Sequence, residues 1–181
     1  MNNFVITVLG KDKPGIVASA TKVLYEVGCN IEDSTSTILG GQFAMIIIVT
    51  ASKGITSAFL RNKFSDVQQK MELYISVRKI TQEEAKGISS FIGEPYLLSV
   101  YGADKPGIVF NVSQTLFERG ININDLKTRV IGSQDKPVYI MILEIMIPKT
   151  VSKHELEKAL KKVKEQLKID ITLKTVDTLE L

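Results

Sequence analysis

An internal repeat constrains this chain more than any other feature. Gly10-Lys-Asp-Lys-Pro-Gly-Ile-Val17 recurs as Gly102-Ala-Asp-Lys-Pro-Gly-Ile-Val109, offset by 92 positions. The same offset carries Leu24 onto Leu116, Gly28 onto Gly120, Asn30 onto Asn122, Ile31 onto Ile123 and Asp33 onto Asp125. Beyond Gly40 and Gly132 the offset becomes 96, and Met45 then matches Met141. The stripe Leu60, Phe64, Val67, Met71 likewise matches Leu156, Leu160, Val163, Leu167. A four-residue insertion around Ser133 to Pro137 accounts for the change. Chance does not hold a register over such a length, so the chain is one module duplicated.

Each copy reads alike. Phe4 to Leu9 is β-branched and apolar, a buried strand ended by Gly10 and Pro14. Ile16, Val17, Ala20, Val23, Leu24 and Val27 recur with helical period, and Gly28 stands where a C-terminal glycine cap belongs. Ile31 to Leu39 is a more polar strand, suited to a sheet edge. Gly40-Gly41 signals a hairpin into the apolar strand Phe43 to Thr50. A second amphipathic helix and a closing strand, Tyr74 to Ile80, complete the unit. In the second copy that helix is expected to open on a capping box, Ser152-Lys-His-Glu155. The order βαββαβ, twice, predicts an α+β chain of two tandem ferredoxin-like sandwiches with antiparallel sheet order 4-1-3-2. The expected domains are 1–80 and 95–181, with 81–94 as linker.

The 181 residues are 44% hydrophobic and 24% charged, an ordinary globular mixture. A net charge of +3 is a weak footprint for nucleic acid, and the lysines of Lys153 to Lys168 decorate the polar face of one helix. RNA binding on a four-stranded sheet would need exposed aromatics on the central strands. The third strands instead carry Met45-Ile-Ile-Ile and Met141-Ile-Leu-Glu. No run approaches the roughly 20 apolar residues of a membrane span, and the N-terminus lacks the basic lead and long apolar core of a secretory signal. A cytoplasmic protein is the expectation. Cys29 and His154 are the only residues of their types, so neither a disulfide framework nor zinc spacing exists. Cys29 reads as packing and His154 as a solvent-facing helix start. Glu32 and Asp33 should alternate to opposite faces of a strand and form no dyad. The reading is a non-enzyme without metal or cofactor.

The informative segment is the loop Gly10 to Gly15 with its twin Gly102 to Gly107. Pro14 and Pro106 suit a first helical position, and Asp12 and Asp104 can accept from the free amides of the first turn. Gly15 and Gly107 leave room for close approach to the backbone. A helix start with open amides seats a carboxylate, and a well-made strand-to-helix turn explains the same residues. Lys13 and Lys105 lack any phosphate-binding glycine pattern around them.

Gly-x-Asp-Lys-Pro-Gly-Ile-Val followed by Gly-x-Asn-Ile resembles the central pattern of the ACT domain, a regulatory module that binds amino acids. The string Val27-Gly-Cys-Asn-Ile-Glu-Asp-Ser34, with Leu39-Gly-Gly-Gln-Phe43 after it, looks like the tandem-ACT branch of glycine cleavage system transcriptional repressors. The resemblance implies an effector, an amino acid or similar small molecule, held between the first loop of one module and the second strand of another. The implied ligand residues are Gly10, Asp12, Lys13, Pro14, Gly15 and Ile16 with Asn122 and Ile123. Their counterparts are Gly102, Asp104, Lys105, Pro106, Gly107 and Ile108 with Asn30 and Ile31. Some amino-acid-binding members have a polar ring residue in place of Gly10 and Gly102, and an amide in place of Asp12 and Asp104. For the repressor branch the implied partner is a transcription activator contacted as protein, without direct nucleic-acid or membrane binding, in a possible homo-oligomer. A sensory subunit of a metabolic enzyme and a purely structural pairing module are the alternatives.

Overall fold

The computed structural model describes residues 1–87, 92–133 and 137–176. The middle of the expected insertion, residues 134–136, and residues 88–91 of the expected linker lie outside them. The chain divides into two compact units, Met1–Ser89 and Ser90–Leu181. The first runs β1 (Asn2–Lys11), α1 (Ile16–Glu26), β2 (Asn30–Leu39), β3 (Gln42–Ala51), α2 (Ser57–Lys70), β4 (Tyr74–Ile80) and a short α3 (Gln82–Ala85). The second runs β5 (Glu94–Ala103), α4 (Ile108–Phe117), β6 (Asn122–Ile131), β7 (Val138–Ile147), α5 (Lys153–Leu167) and β8 (Asp170–Thr175). The sheets are antiparallel, ordered β2-β3-β1-β4 and β6-β7-β5-β8. This is the expected ferredoxin-like order 4-1-3-2, formed twice.

Alternation decides which face each sheet buries. In β1, Phe4, Ile6 and Val8 are wholly buried; they stand opposite Val49, Ile47 and Met45 of β3. Over this face pack Ile16, Ala20 and Leu24 of α1 with Leu60 and Phe64 of α2. The second unit repeats the plan: Leu98, Val100, Met141 and Leu143 lie beneath Ile108, Val112 and Leu116 of α4 and Leu156 and Leu160 of α5. The edge strand β2 lies beyond the helices' cover, and all ten of its residues are exposed.

Two helix starts differ from expectation. Ser152 is the N-cap of α5, but its side chain accepts no capping bond. The closed capping box sits instead at α3, inside the segment read as linker. The Glu84 amide donates to Thr81 Oγ1 at 3.1 Å, and the Thr81 amide donates to Glu84 Oε2 at 2.7 Å. Arg78 adds an ion pair to Glu84 at 3.0 Å. The Thr81 amide, followed by Arg78, holds the Glu84 carboxyl below the usual carboxylate range. Thr81-x-x-Glu84 carried the same sequence signal as Ser152-x-x-Glu155, and only the former has its reciprocal bonds made.

Phe64 is 1% exposed at the centre of the first core. Phe64→Ala is expected to destabilise the first unit by about 3–5 kcal/mol, read as faster hydrogen exchange of the β1 and β3 amides. A loss below about 1 kcal/mol would mean that the site collapses around the deletion.

Candidate functional site

The loop after β1 is tied down by backbone. The Asp12 amide donates to Gly41 O in the β2–β3 turn at 2.9 Å, holding the loop against the hairpin. Helix α1 begins at Ile16, two residues later than a start with Pro14 as first helical residue requires. Its N-cap is Gly15, left-handed at φ 94, and Gly107 repeats this at φ 93. Pro14 and Pro106 therefore precede the N-cap. Neither helix start has a side-chain cap, so Asp12 and Asp104 do not act as caps. The amides of each first turn are left to solvent or to a ligand.

The lysines of the two loops reach elsewhere. Lys13 Nζ lies 3.5 Å from the Glu72 carboxylate just past α2, and Lys105 Nζ donates to the Leu167 carbonyl of α5 at 3.0 Å. Each ammonium thus meets the negative end of the unit's second long helix, where cations are favoured. Gly10 and Gly102 have a packing cause. A Cβ on Gly10 would stand 2.6 Å from Leu73 Cδ2, and one on Gly102 2.6 Å from Ile169 Cγ2. A side chain at either place requires Leu73 or Ile169 to move, a packing reason for glycine. Ile16 and Ile108 are each 2% exposed, so they can offer a ligand main chain only.

Asn30 and Asn122 start the edge strands at the other end of each sheet. Asn30 stands opposite Thr50, which stands opposite Asn3, whereas Gly10 stands opposite Phe43 near the far end of β3. Loop and asparagine of one unit therefore cannot hold one small ligand. Each asparagine is oriented by its neighbour two residues on: Asn30 Nδ2 donates to Glu32 Oε1 at 3.0 Å, and Asn122 Nδ2 to Asn124 Oδ1 at 2.7 Å. Ile31 is 38% exposed, while Ile123 is half-buried against the second core.

A hollow of about 520 Å³ opens at the first loop, bounded by Asp12 to Ala18 with Ile38 and Phe43. Another of about 550 Å³ lies at the asparagine end, where Thr21 and Tyr25 of α1 face Cys29, Asn30 and Ile31. Ala18 of α1 borders both hollows.

Sequence reading missed the bulges. The register of β2 on β3 shifts between Ile31 and Asp33, and that of β6 on β7 between Ile123 and Asp125. The extra residue breaks strict alternation. Glu32 and Asp33 consequently line the same cavity instead of pointing to opposite faces. In the second unit Lys127 Nζ meets Asp125 Oδ2 at 2.7 Å; that contact lowers the Asp125 carboxyl and raises the Lys127 ammonium. Burial pushes the Cys29 thiol up, away from the thiolate a nucleophile needs. No helix among the described residues is long and apolar enough to cross a membrane.

Two models described as ACT domain match the chain, at residues 2–78 and 96–168. A UPF0237 protein of Methanococcus maripaludis is 44% identical over 84 residues, spanning 46% of this chain and 90% of its own length. The glycine cleavage system transcriptional repressor of Escherichia coli (strain K12) is 23% identical over 175 residues, covering 96% of this chain and 90% of that protein. A solved structure of an unknown protein from Galdieria sulphuraria matches with TM-score 0.81 and 28% identity, over 97% of this chain and 98% of that one.

Two outcomes check this geometry. An alanine at Gly15 must adopt a left-handed backbone, so Gly15→Ala is expected to cost about 1–2 kcal/mol in urea unfolding. No loss would contradict the left-handed cap. With its pKa raised, Cys29 holds less thiolate at pH 8 than a free cysteine. Its alkylation by iodoacetamide should be slower than that of an unstructured cysteine peptide, and the two should converge in denaturant. Faster reaction in the folded protein would contradict the burial.

Proposed function

This chain belongs to the ACT domain family, and from that premise we propose that it is a non-enzymatic regulator that binds an amino acid or similar small ligand where two ACT modules meet. It acts through a protein partner, as a transcriptional co-regulator of the glycine-cleavage type. The observation that carries the reading is the helix start left without a side-chain cap in both units. Its free amides and positive dipole end suit a ligand carboxylate. Asp12 or Asp104, not engaged as a cap, suits the ligand ammonium.

Because loop and asparagine stand at opposite ends of one sheet, a ligand that touches both draws them from two modules. The exposed edge strands β2 and β6 supply the surfaces for such pairing, within one chain or between two copies. The similarity to the Escherichia coli repressor, along nearly the whole of both chains, favours a transcriptional role over an enzyme-regulating one. Coupling to the partner requires that ligand affinity differ between the free and docked states.

Thermal-shift screening of the full chain against the amino acids identifies the ligand, and calorimetry then tests the site. Asp12→Ala and Asn122→Ala are expected to weaken one site of two, and Asp104→Ala and Asn30→Ala the other. An asparagine's lost hydrogen bond should cost about 0.5–1.5 kcal/mol, roughly two- to thirteenfold in Kd, and an aspartate's lost contact to the ammonium about 1.5–3 kcal/mol, roughly tenfold to a hundredfold. If Asp12→Ala and Asn30→Ala weaken the same site, the shared-site geometry fails. Gly15→Val is a poor probe, since a β-branched residue at positive φ strains the loop as well as crowding it.

A further inference from the structure

The open face of the first sheet carries a cavity that the proposed effector site does not use. Its volume is about 960 Å³, in the range of small-molecule sites. Asn3 of β1 and Ile48 and Thr50 of β3 form its floor, at the end of the sheet away from the Gly10 loop. Glu32 and Asp33 of β2 make one wall. Ile80 at the end of β4 and the α3 segment with Glu84 and Lys86 make the other, and β2 and β4 are opposite edges of the sheet; Lys79, paired with the core residue Phe4, stands on the helix-covered face.

That second wall is held in place. Helix α3 lies against β1, closed by the Thr81–Glu84 box and the Arg78–Glu84 ion pair. Ile80, which leads into it, is 6% exposed although it stands outside the helix-side core.

Charge across the cavity is segregated once the Glu84 carboxylate of the second wall is set against its partner Arg78, which leaves that wall the charge of Lys86. Glu32 accepts from Asn30 Nδ2, and Asp33 Oδ1 accepts from the Ser34 amide at 2.7 Å, which leaves each carboxylate a further oxygen. Among the described residues neither has an ion-pair partner, nor has Lys86. From β2 to β4 is three strand spacings, ~14 Å, and ~10 Å from β2 to β1, where α3 rests. In a single amino acid the ammonium and carboxylate share one carbon, so it cannot reach both walls. An extended tripeptide spans about 10 Å.

We propose that this cavity binds a short zwitterionic peptide, its ammonium at Glu32 and Asp33 and its carboxylate at Lys86. Lys86 follows α3 directly, so the bound carboxylate also pins the segment that leaves the first unit.

The test is a titration of the full chain with triglycine, followed by amide NMR shifts and calorimetry. Saturable shifts at Glu32, Asp33 and Lys86 are expected. N-acetyl-triglycine and triglycinamide, each lacking one end charge, should bind at least tenfold more weakly. The double variant Glu32→Gln/Asp33→Asn and the variant Lys86→Met should each weaken triglycine at least tenfold, with the remaining amide spectrum kept. Asp12→Ala should leave triglycine binding unchanged, which separates this site from the loop site. Absence of saturable shifts at those residues, or binding indifferent to the end charges or to these variants, overturns the proposal. Failure of amino acids to bind at the loops, with triglycine still bound here, would sink the effector reading alone.

Discussion

The antiparallel pairing of β1 with β3 governs the rest of each unit. Side chains alternate along a strand, so a slip of one residue would turn Phe4, Ile6 and Val8 out of the core they share with Met45, Ile47 and Val49. The same register brings the end of β1 beside the β2–β3 turn, where the Asp12 amide finds the Gly41 carbonyl. Loop position, helix entry and the open first-turn amides all follow from a pairing fixed by apolar burial. The candidate site is thus built on the most strongly specified contact in the module.

That pairing also strands β2 at an edge. Two helices cover the width of β3, β1 and β4, and all ten residues of β2 remain exposed, Ile31, Ile38 and Leu39 among them. Its charges, Glu32 and Asp33, are confined to the bulged start, and the stretch from Ser34 to Leu39 carries none. A long edge with so little charge is a template for another strand, which is the physical ground for the module pairing proposed above. The bulge at its start makes the other contribution. It turns two adjacent carboxylates toward the open face, leaving Asn30 on the strand ahead of it.

The repeat made fold and strand order legible, because apolar periodicity and turn glycines are local signals that tertiary structure here does not override. Gly40 and Gly41 adopt positive φ as a tight hairpin requires. What escaped the sequence was geometry that depends on one added residue or one rotamer. Pro14 reads as a first helical residue until Gly15 takes the left-handed cap. Ser152 and Thr81 carry the same box pattern, yet only Thr81 closes it, with Arg78 steadying its glutamate. Alternation predicted divergent carboxylates until the bulge set both on one cavity. The lysines of the repeated motif looked free for a ligand. They face helix C-terminal ends more than 50 residues away, contacts that no local pattern encodes.

Duplication preserved the frame while letting the surroundings of the two loops diverge. At the floor of the first loop hollow stands Phe43, opposite Gly10. The corresponding residue of the second unit is Tyr139, opposite Gly102. Its ring is equally buried, at 8% against 6% exposed, so the aromatic packing is conserved and the difference is one hydroxyl. Burial raises the Tyr139 pKa, a hydrogen bond with Thr128 opposes this, and the Asp104 charge adds to the rise. That hydroxyl therefore stays protonated within the field of the very loop carboxylate whose counterpart, Asp12, has only an apolar ring beneath it. In the proposed effector sites, a ligand's polar group would have the Tyr139 hydroxyl near it at the second loop and no such group from Phe43 at the first. Where a buried polar atom must be matched or left unsatisfied, such a difference discriminates between ligands more sharply than a change of volume does. The repeat thus yields two loops of one backbone geometry and unequal chemistry, in which the two proposed effector sites differ.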